Sequence, residues 1–192
     1  MAMPKITLLR SDHHRRMPWK NGGGETVEIA VSPAGAGLAD FDWRVSMATV
    51  ATDGPFSVFP GIDRTLSILD GEGMTLFIEG RAPERLTQAS EPLPFAADAS
   101  TSATLIDGTI MDLNVMTRRG RFMHSVRRVA IDGPREVAFE TGTNLVLCHR
   151  GNAEIDGMAL DVGDCLLISN DSAGRHSISG KAQLFHIAIA AI

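Results

Sequence analysis

A chain of 192 residues with 44% hydrophobic and 21% charged residues can bury a core as one large domain or two small ones. The formal net charge of -5, with basic residues scattered in short groups such as Arg118-Arg119 and Arg127-Arg128, argues against a nucleic-acid partner, because phosphate affinity comes from clustered cations. The start M-A-M-P-K-I-T-L-L-R-S-D has no signal-peptide h-region, and no apolar run reaches the roughly 18 residues of a membrane span, so the expectation is a cytoplasmic protein with no membrane partner.

Taken in chain order, short runs rich in strand formers recur: I-T-L-L, T-V-E-I-A-V, W-R-V-S-M-A-T-V, T-L-S-I-L and M-T-L-F-I, then N-L-V-L-C-H, C-L-L-I-S and Q-L-F-H-I-A-I. Gly, Pro and Asp punctuate them at S-P-A-G-A-G, T-D-G-P, D-G-E-G, I-D-G-P, R-G-N and V-G-D, which predicts an all-β sandwich or barrel. A-P-E-R-L-T-Q could make one short helical turn, and Ala82 to Ser102 reads as a long loop. T-L-S-I-L-D-G-E-G-M-T-L-F-I and N-L-V-L-C-H-R-G-N-A-E-I-D-G share a strand, turn, strand scheme, which suggests two small barrels. The part after about Gly120 has few strands for a barrel of its own, so I-T-L-L or T-V-E-I-A-V is expected to pair with strands of the second half.

The stretch M-P-W-K-N-G-G-G-E-T-V-E-I-A, Met17 to Ala30, is no P-loop, because Lys20 precedes the glycines and a strand-like run follows them, whereas a P-loop opens a helix. Nor is it paired with a nucleophile elbow, since no serine is flanked as Gly-x-Ser-x-Gly. A hairpin turn and backbone laid against a ligand both remain as readings of Gly22, Gly23 and Gly24.

Alternation along F-D-W-R-V-S-M-A sends Asp42, Arg44, Ser46 and Ala48 to one face and Phe41, Trp43, Val45 and Met47 to the other. By the same rule Arg64, Leu66 and Ile68 share a face, as do Asp112, Asn114 and Met116. The two arginines are either ion-paired with nearby carboxylates or project into a barrel lumen, where a planar fork binds carboxylates bidentately. Among His13, His14, His124, His149, His176 and His186 there is no His-x-His pair, so no preassembled metal site is visible. His13-His14 is expected in solvent, and His149 with His186 could meet in the second half. Cys148 and Cys165 sit in apolar runs and read as buried thiols, with a cross-strand disulfide as the alternative.

With W-K-N-G-G-G-E-T, F-D-W-R-V-S-M-A, D-G-P-F-S-V-F-P-G-I-D-R, L-D-G-E-G-M and D-L-N-V-M-T-R-R-G in that order, the chain resembles the HutD/Ves family of bacterial bicupins. The likeness is detailed from Met17 to Gly120. It implies two fused cupin barrels (double-stranded β-helices), placed at 1–118 and 119–192, and a link to histidine utilisation in which a small pathway ligand is sensed rather than turned over. It makes the glycine turn part of a pocket lip beside Arg44, Ser46, Phe56, Ser57 and Arg64. Where enzymatic cupins hold a metal with three His and a Glu, this sequence offers Arg64, and an arginine is no metal ligand.

The resulting expectation is a metal-free, cofactor-free binder of a small carboxylate such as urocanate or formylglutamate. Trp19, Asn21, Gly22, Gly23, Gly24, Arg44, Ser46, Phe56, Ser57, Arg64, Asp112 and Asn114 are its ligand-binding residues, and a homodimer is left open. The alternative is a cupin-type isomerase or hydrolase with Asp112 or Asp63 as general base.

Overall fold

The computed structural model describes residues 5–170 and 174–192. In chain order the strands are β1 (Lys5–Leu9), β2 (Arg15–Pro18), β3 (Gly24–Ser32), β4 (Trp43–Val50), β5 (Gly54–Pro55) and β6 (Ile62–Asp70). They continue with β7 (Met74–Ile78), β8 (Glu84–Leu86), β9 (Leu93–Ala96), β10 (Thr101–Leu105), β11 (Ile110–Arg118) and β12 (Phe122–Asp132). The order ends with β13 (Arg135–Phe139), β14 (Gly142–Ile155), β15 (Met158–Leu160), β16 (Cys165–Asn170) and β17 (Gly174–Ala191). Among the described residues the helical content is one 3-10 turn at Ser11–His13. The segment A-P-E-R-L-T-Q is therefore not helical: Glu84–Leu86 is a strand paired with β7, because burying Leu86 in the sheet outweighs the local helix propensity. The stretch from Ala82 to Ser102, expected as a loop, likewise contributes β8, β9 and the start of β10.

The chain divides into two compact units, one of them Arg15–Phe122 and the other built from the chain on either side of it. In the Arg15–Phe122 unit a six-stranded sheet, β2-β3-β4-β11-β6-β9, accompanies a four-stranded one, β5-β10-β7-β8. The D-G-E-G segment carries the chain from β6 in the first sheet to β7 in the second. Ala48, Val50, Leu66, Ile68 and Phe95 of the first sheet pack with Met74, Leu76, Ile78, Leu86 and Ala103 of the second. Each fully buried Leu, Ile or Met in that cluster contributes roughly 1.5–3 kcal/mol relative to an exposed one.

The other unit is a seven-stranded sheet with the path β1-β16-β14-β17-β12, β13 lying on β17 and β15 on β14. The I-T-L-L run is its first strand, in antiparallel register with β16 from Lys5↔Ser169 to Leu9↔Cys165, whereas T-V-E-I-A-V pairs with β2 and β4 in the Arg15–Phe122 unit. The R-G of H-R-G-N is not a turn: β14 runs through it, with a register shift between Cys148 and Arg150 against β17. A β-bulge of this kind absorbs one residue without ending the strand. Both cysteines are free and buried, and burial pushes the Cys165 thiol up to about 12.

The segment after β1 is clasped to this unit. Arg10 Nη1 donates to Asp164 Oδ2 at 2.6 Å and the Ser11 backbone N–H donates to Asp164 Oδ1 at 2.8 Å. His14 is buried with Nε2 at 2.9 Å from the Gly163 carbonyl, so only His13 of the pair stands in solvent. The polar neighbours in sequence suggested otherwise, but the fold supplies a carbonyl partner that makes burial affordable for the imidazole.

Candidate functional site

Residues directly opposite one another in an antiparallel sheet point to the same face. The registers of β4, β11, β6 and β9 align Arg44, Met116, Arg64 and Phe95 in one row, and Ser46, Asn114, Leu66 and Leu93 in the next. A third row holds Thr26, Ala48, Asp112 and Ile68, and Glu28 on β3 stands opposite Ser46. Because Ala48, Leu66 and Ile68 belong to the apolar cluster between the two sheets, the polar residues of these rows lie on the inner face. They are bounded beyond the first row by a second apolar cluster of Phe41, Ile62, Ala97 and Met116.

Arg44 and Arg64 share this face but not their circumstances. Arg44 Nε donates to Glu28 Oε2 at 2.7 Å, with side chains only 6% and 11% exposed. Arg64 is 5% exposed. One Nη reaches the Ser57 carbonyl at 3.5 Å and the Met116 sulfur at 3.6 Å, while its Nε is buried with no hydrogen-bond partner. Its guanidinium carbon stands 5.3, 5.4 and 5.7 Å from the ring centroids of Phe56, Phe59 and Phe95, which stabilises the cation by roughly 0.5–2 kcal/mol per favourable ring. That does not replace a counter-ion, since removing a charge from water costs several kcal/mol even after relaxation. Burial accordingly lowers Arg64 to about 10, with Asp112 opposing the shift and Arg44 adding to it.

Asp112 is 1% exposed. Burial pushes its carboxyl up to about 7, against the pull of Arg64, of Asn114 and of the Ala48 backbone. Asn114 Nδ2 donates to Asp112 Oδ1 at 2.6 Å. The inner face thus presents an enclosed guanidinium with unused donor capacity, a carboxyl that titrates near neutrality, and the neutral groups of Ser46 and Asn114. Chemically this arrangement suits a small anion with a polar second end.

The remaining sequence-predicted residues lie at different distances from this group. Phe56 and Ser57 contact Arg64 directly. Trp19 packs against the apolar cluster that includes Ala48 and Ile68, and its Nε1 donates to Thr26 Oγ1 at 2.8 Å, in the Asp112 row. Asn21 and Gly22 are exposed at the tip of the β2–β3 hairpin, where Asn21 Oδ1 accepts from the Gly23 N–H at 3.0 Å. Gly23 caps the strand end through Ala51 N–H to its carbonyl, and Gly24 opens β3. The structure thus joins Arg44, Ser46, Phe56, Ser57, Arg64, Asp112 and Asn114, with Trp19 at their edge. The other four make a hairpin whose hydrogen bonds run within it and to the end of β4. Asp63 points away from the rows and pairs with Arg119 at 2.8 Å. Glu28, Phe59, Phe95 and Met116 complete the surroundings of the arginines. The alternation of T-V-E-I-A-V could have offered Glu28, but only the β3–β4 register shows that it meets Arg44.

The described residues do not fit the metal centre of an enzymatic cupin. Two arginines, an amide and two carboxylates, one of them committed to Arg44, are no ligand set, and no group of three or more His, Cys, Asp or Glu among the described residues is placed to hold an ion. In the other unit His149 lies tilted against Phe185 at 5.5 Å between centroids, while His186 and His176 lie against Phe139 at 4.8 and 4.9 Å. His186 Nε2 engages Asn144 Oδ1 at 2.9 Å.

The all-β fold, with a polar group enclosed between the two sheets of the Arg15–Phe122 unit, is of the cupin type, in line with a fold-level likeness. The bacterial pirin YhhW from Escherichia coli in complex with nickel(II) superposes with a TM-score of 0.64 at 10% identity over 96% of this chain and 98% of that one. The HutD family profile matches residues 11–186, and the chain belongs to that family. It is 32% identical over 191 residues to an uncharacterised 21.2 kDa protein in the hutC 3' region of Pseudomonas putida, covering 96% of this chain and 98% of the relative. It is 43% identical over 173 residues to protein Ves of Citrobacter koseri, covering 85% and 83%. The structure of HutD from Pseudomonas fluorescens SBW25, formate condition, matches with a TM-score of 0.86 at 32% identity over 98% of this chain and all of that one. No helix among the described residues is long and apolar enough to cross a membrane.

Proposed function

We propose that this protein is a cytoplasmic, metal-free bicupin that binds a small carboxylate on Arg64, as a sensor or modulator in histidine breakdown rather than a catalyst. The observation that carries the reading is the buried Arg64 guanidinium, whose Nε has no partner and which no carboxylate of the described residues meets in an ion pair. A buried cation without an ion-pair partner carries a desolvation cost, which an anionic ligand at its free edge would offset. The carboxylate takes the free edge of Arg64, the three phenylalanine rings enclose it, and Asn114 and Ser46 serve its neutral polar atoms. Trp19 and the Gly22–Gly24 turn close the rim. The gene neighbourhood in the name of the Pseudomonas putida relative and the formate condition of the solved HutD support urocanate, formylglutamate or formate as the compounds to try first.

A thermal-shift screen with histidine, urocanate, formylglutamate, formate and glutamate tests this, because a ligand that binds only the folded state raises its stability with concentration. The Arg64→Ala variant should bind the hit about 10-fold to 150-fold more weakly, the loss of a charge-assisted hydrogen bond of roughly 1.5–3 kcal/mol. Arg64→Lys should recover part of it. Equal binding by Arg64→Ala would show that the arginine is structural. A second reading, an enzyme using Asp112 as general base, draws on its burial and near-neutral titration. Nuclear magnetic resonance of the hit after prolonged incubation separates the two: an unchanged ligand supports the binder.

A further inference from the structure

The inner face of the Arg15–Phe122 unit encloses four charged side chains, Glu28 on β3, Arg44 on β4, Arg64 on β6 and Asp112 on β11, while Arg15 on β2, opposite Glu28, stands exposed at the outer end of its row. From β9 come Leu93 and Phe95, and the facing sheet brings Met74, Leu76, Ile78, Leu86 and Ala103, none of which titrates. At the rim Glu84 pairs with Arg81, both side chains 42% exposed. With both carboxylates ionised the four inner charges sum to zero, and Glu28 is committed to Arg44. An anion on Arg64 would leave one uncompensated negative charge in an enclosed, largely apolar surround, which costs several kcal/mol. Asp112 can remove that charge by taking a proton, because a like charge close by disfavours its ionised form.

We propose that an anion on Arg64 and a proton on Asp112 occupy this site together, so that ligand binding is coupled to proton uptake. This rests on Arg64 being the carboxylate anchor. Once protonated, Asp112 also becomes an O–H donor, able to serve an acceptor atom of the same ligand. The sequence isolates the effect. All six histidines and both cysteines fall outside residues 15–122, so the unit has no other side chain that ordinarily titrates between about pH 6 and 9. The carboxyl already stands near the middle of that range through burial, and an anion moves it further up.

The test is titration calorimetry of the full chain with formate and with formylglutamate, neither of which titrates above about pH 5. At pH 8, where Asp112 of the free protein is mostly ionised, the heats in two buffers of different ionisation enthalpy should report uptake approaching one proton per ligand. Affinity should fall about tenfold per pH unit on the alkaline side. Asp112→Asn should take up no proton and bind equally at pH 6.5 and 8.5. The proton count on the wild type decides the question even if that variant does not fold. Binding with no uptake and equal affinity at both pH values overturns the coupling and leaves the Arg64 anchor standing. No heat with either ligand from wild type at any pH overturns the anchor, and the coupling with it.

Discussion

Arg44 and Glu28, sixteen residues apart in sequence, close a 2.7 Å ion pair on the inner face of the Arg15–Phe122 unit with both side chains nearly buried. That pair distinguishes the two arginines of the face. Arg44 is satisfied by the protein, whereas Arg64 is held among three aromatic rings with donor capacity to spare. Sharing one sheet face, they differ in circumstance: Arg44 is tied to Glu28, whereas Arg64 Nε has no hydrogen-bond partner.

Breaking the pair from its acidic side should therefore be costly. Glu28→Gln leaves Arg44 buried without a counter-charge, and the expected loss is roughly 3 kcal/mol, the lower end for removing one partner of a buried pair. Urea unfolding measures it. The same variant creates a second uncompensated cation beside Arg64, so any carboxylate that binds should bind more tightly to the fraction that is folded.

Asp112 should give the protein a distinctive pH dependence without ligand. Its folded-state value, about 7, lies above the ordinary 3.8, so its favourable contribution is complete below about pH 4 and is lost as pH rises through 7. Asp112→Asn should remove that decline. At pH 8 the variant should be the more stable protein, by something on the order of 2–4 kcal/mol, and near pH 4 the two should converge. Chemical unfolding at pH 4, 6 and 8 checks the sign, and a wild type that gains stability from pH 5 to 8 relative to the variant would contradict it.

The triple glycine should respond unevenly to single methyl groups. A Cβ on Gly24 would meet the Thr49 carbonyl oxygen of the paired strand and the Trp19 ring at 3.0 Å, and neither can move without disturbing the β3–β4 ladder or the packing of Trp19. Gly24→Ala should cost roughly 1–3 kcal/mol, as overpacking does. On Gly23 the nearest obstacle is Thr52 Oγ1 at 2.8 Å, the end of an exposed side chain that can turn away. Gly23→Ala should cost less than about 1 kcal/mol. Comparable losses at the two positions would mean that the hairpin, rather than the strand approach, sets the requirement.

Asp164→Asn tests the clasp on the N-terminal segment. Although burial works against ionisation of Asp164, hydrogen bonds from the Ser11 and Asp161 backbones and from Arg10 hold its carboxyl below the ordinary range. Its contribution is thus present above the unfolded-state value and lost as pH falls through the folded one. The variant should lose about 1–3 kcal/mol at pH 7, in line with hydrogen bonds to a charged group, and the difference should shrink in strong acid. Faster amide exchange in Lys5–Leu9 would locate the loss in the β1–β16 ladder.

What the sequence determined by itself follows from the two-residue period of a strand. F-D-W-R-V-S-M-A separates Arg44 and Ser46 from Trp43 and Val45, and D-L-N-V-M collects Asp112, Asn114 and Met116, and the structure keeps both groupings. Gly and Asp punctuation likewise marked the all-β class. Local pattern failed at the short strand Glu84–Leu86, where burial of Leu86 overrides propensity, and at the β14 bulge, where the ladder with β17 carries the strand through the exposed Arg150, Gly151 and Asn152. It was silent on which faces meet. The pairing of Arg64 with Phe95, of Arg44 with Glu28, and of β1 with β16 depends on ladder register between distant segments. A one-residue slip in such a register turns every side chain to the opposite face, so only the tertiary structure decides that one arginine finds its carboxylate while the other does not.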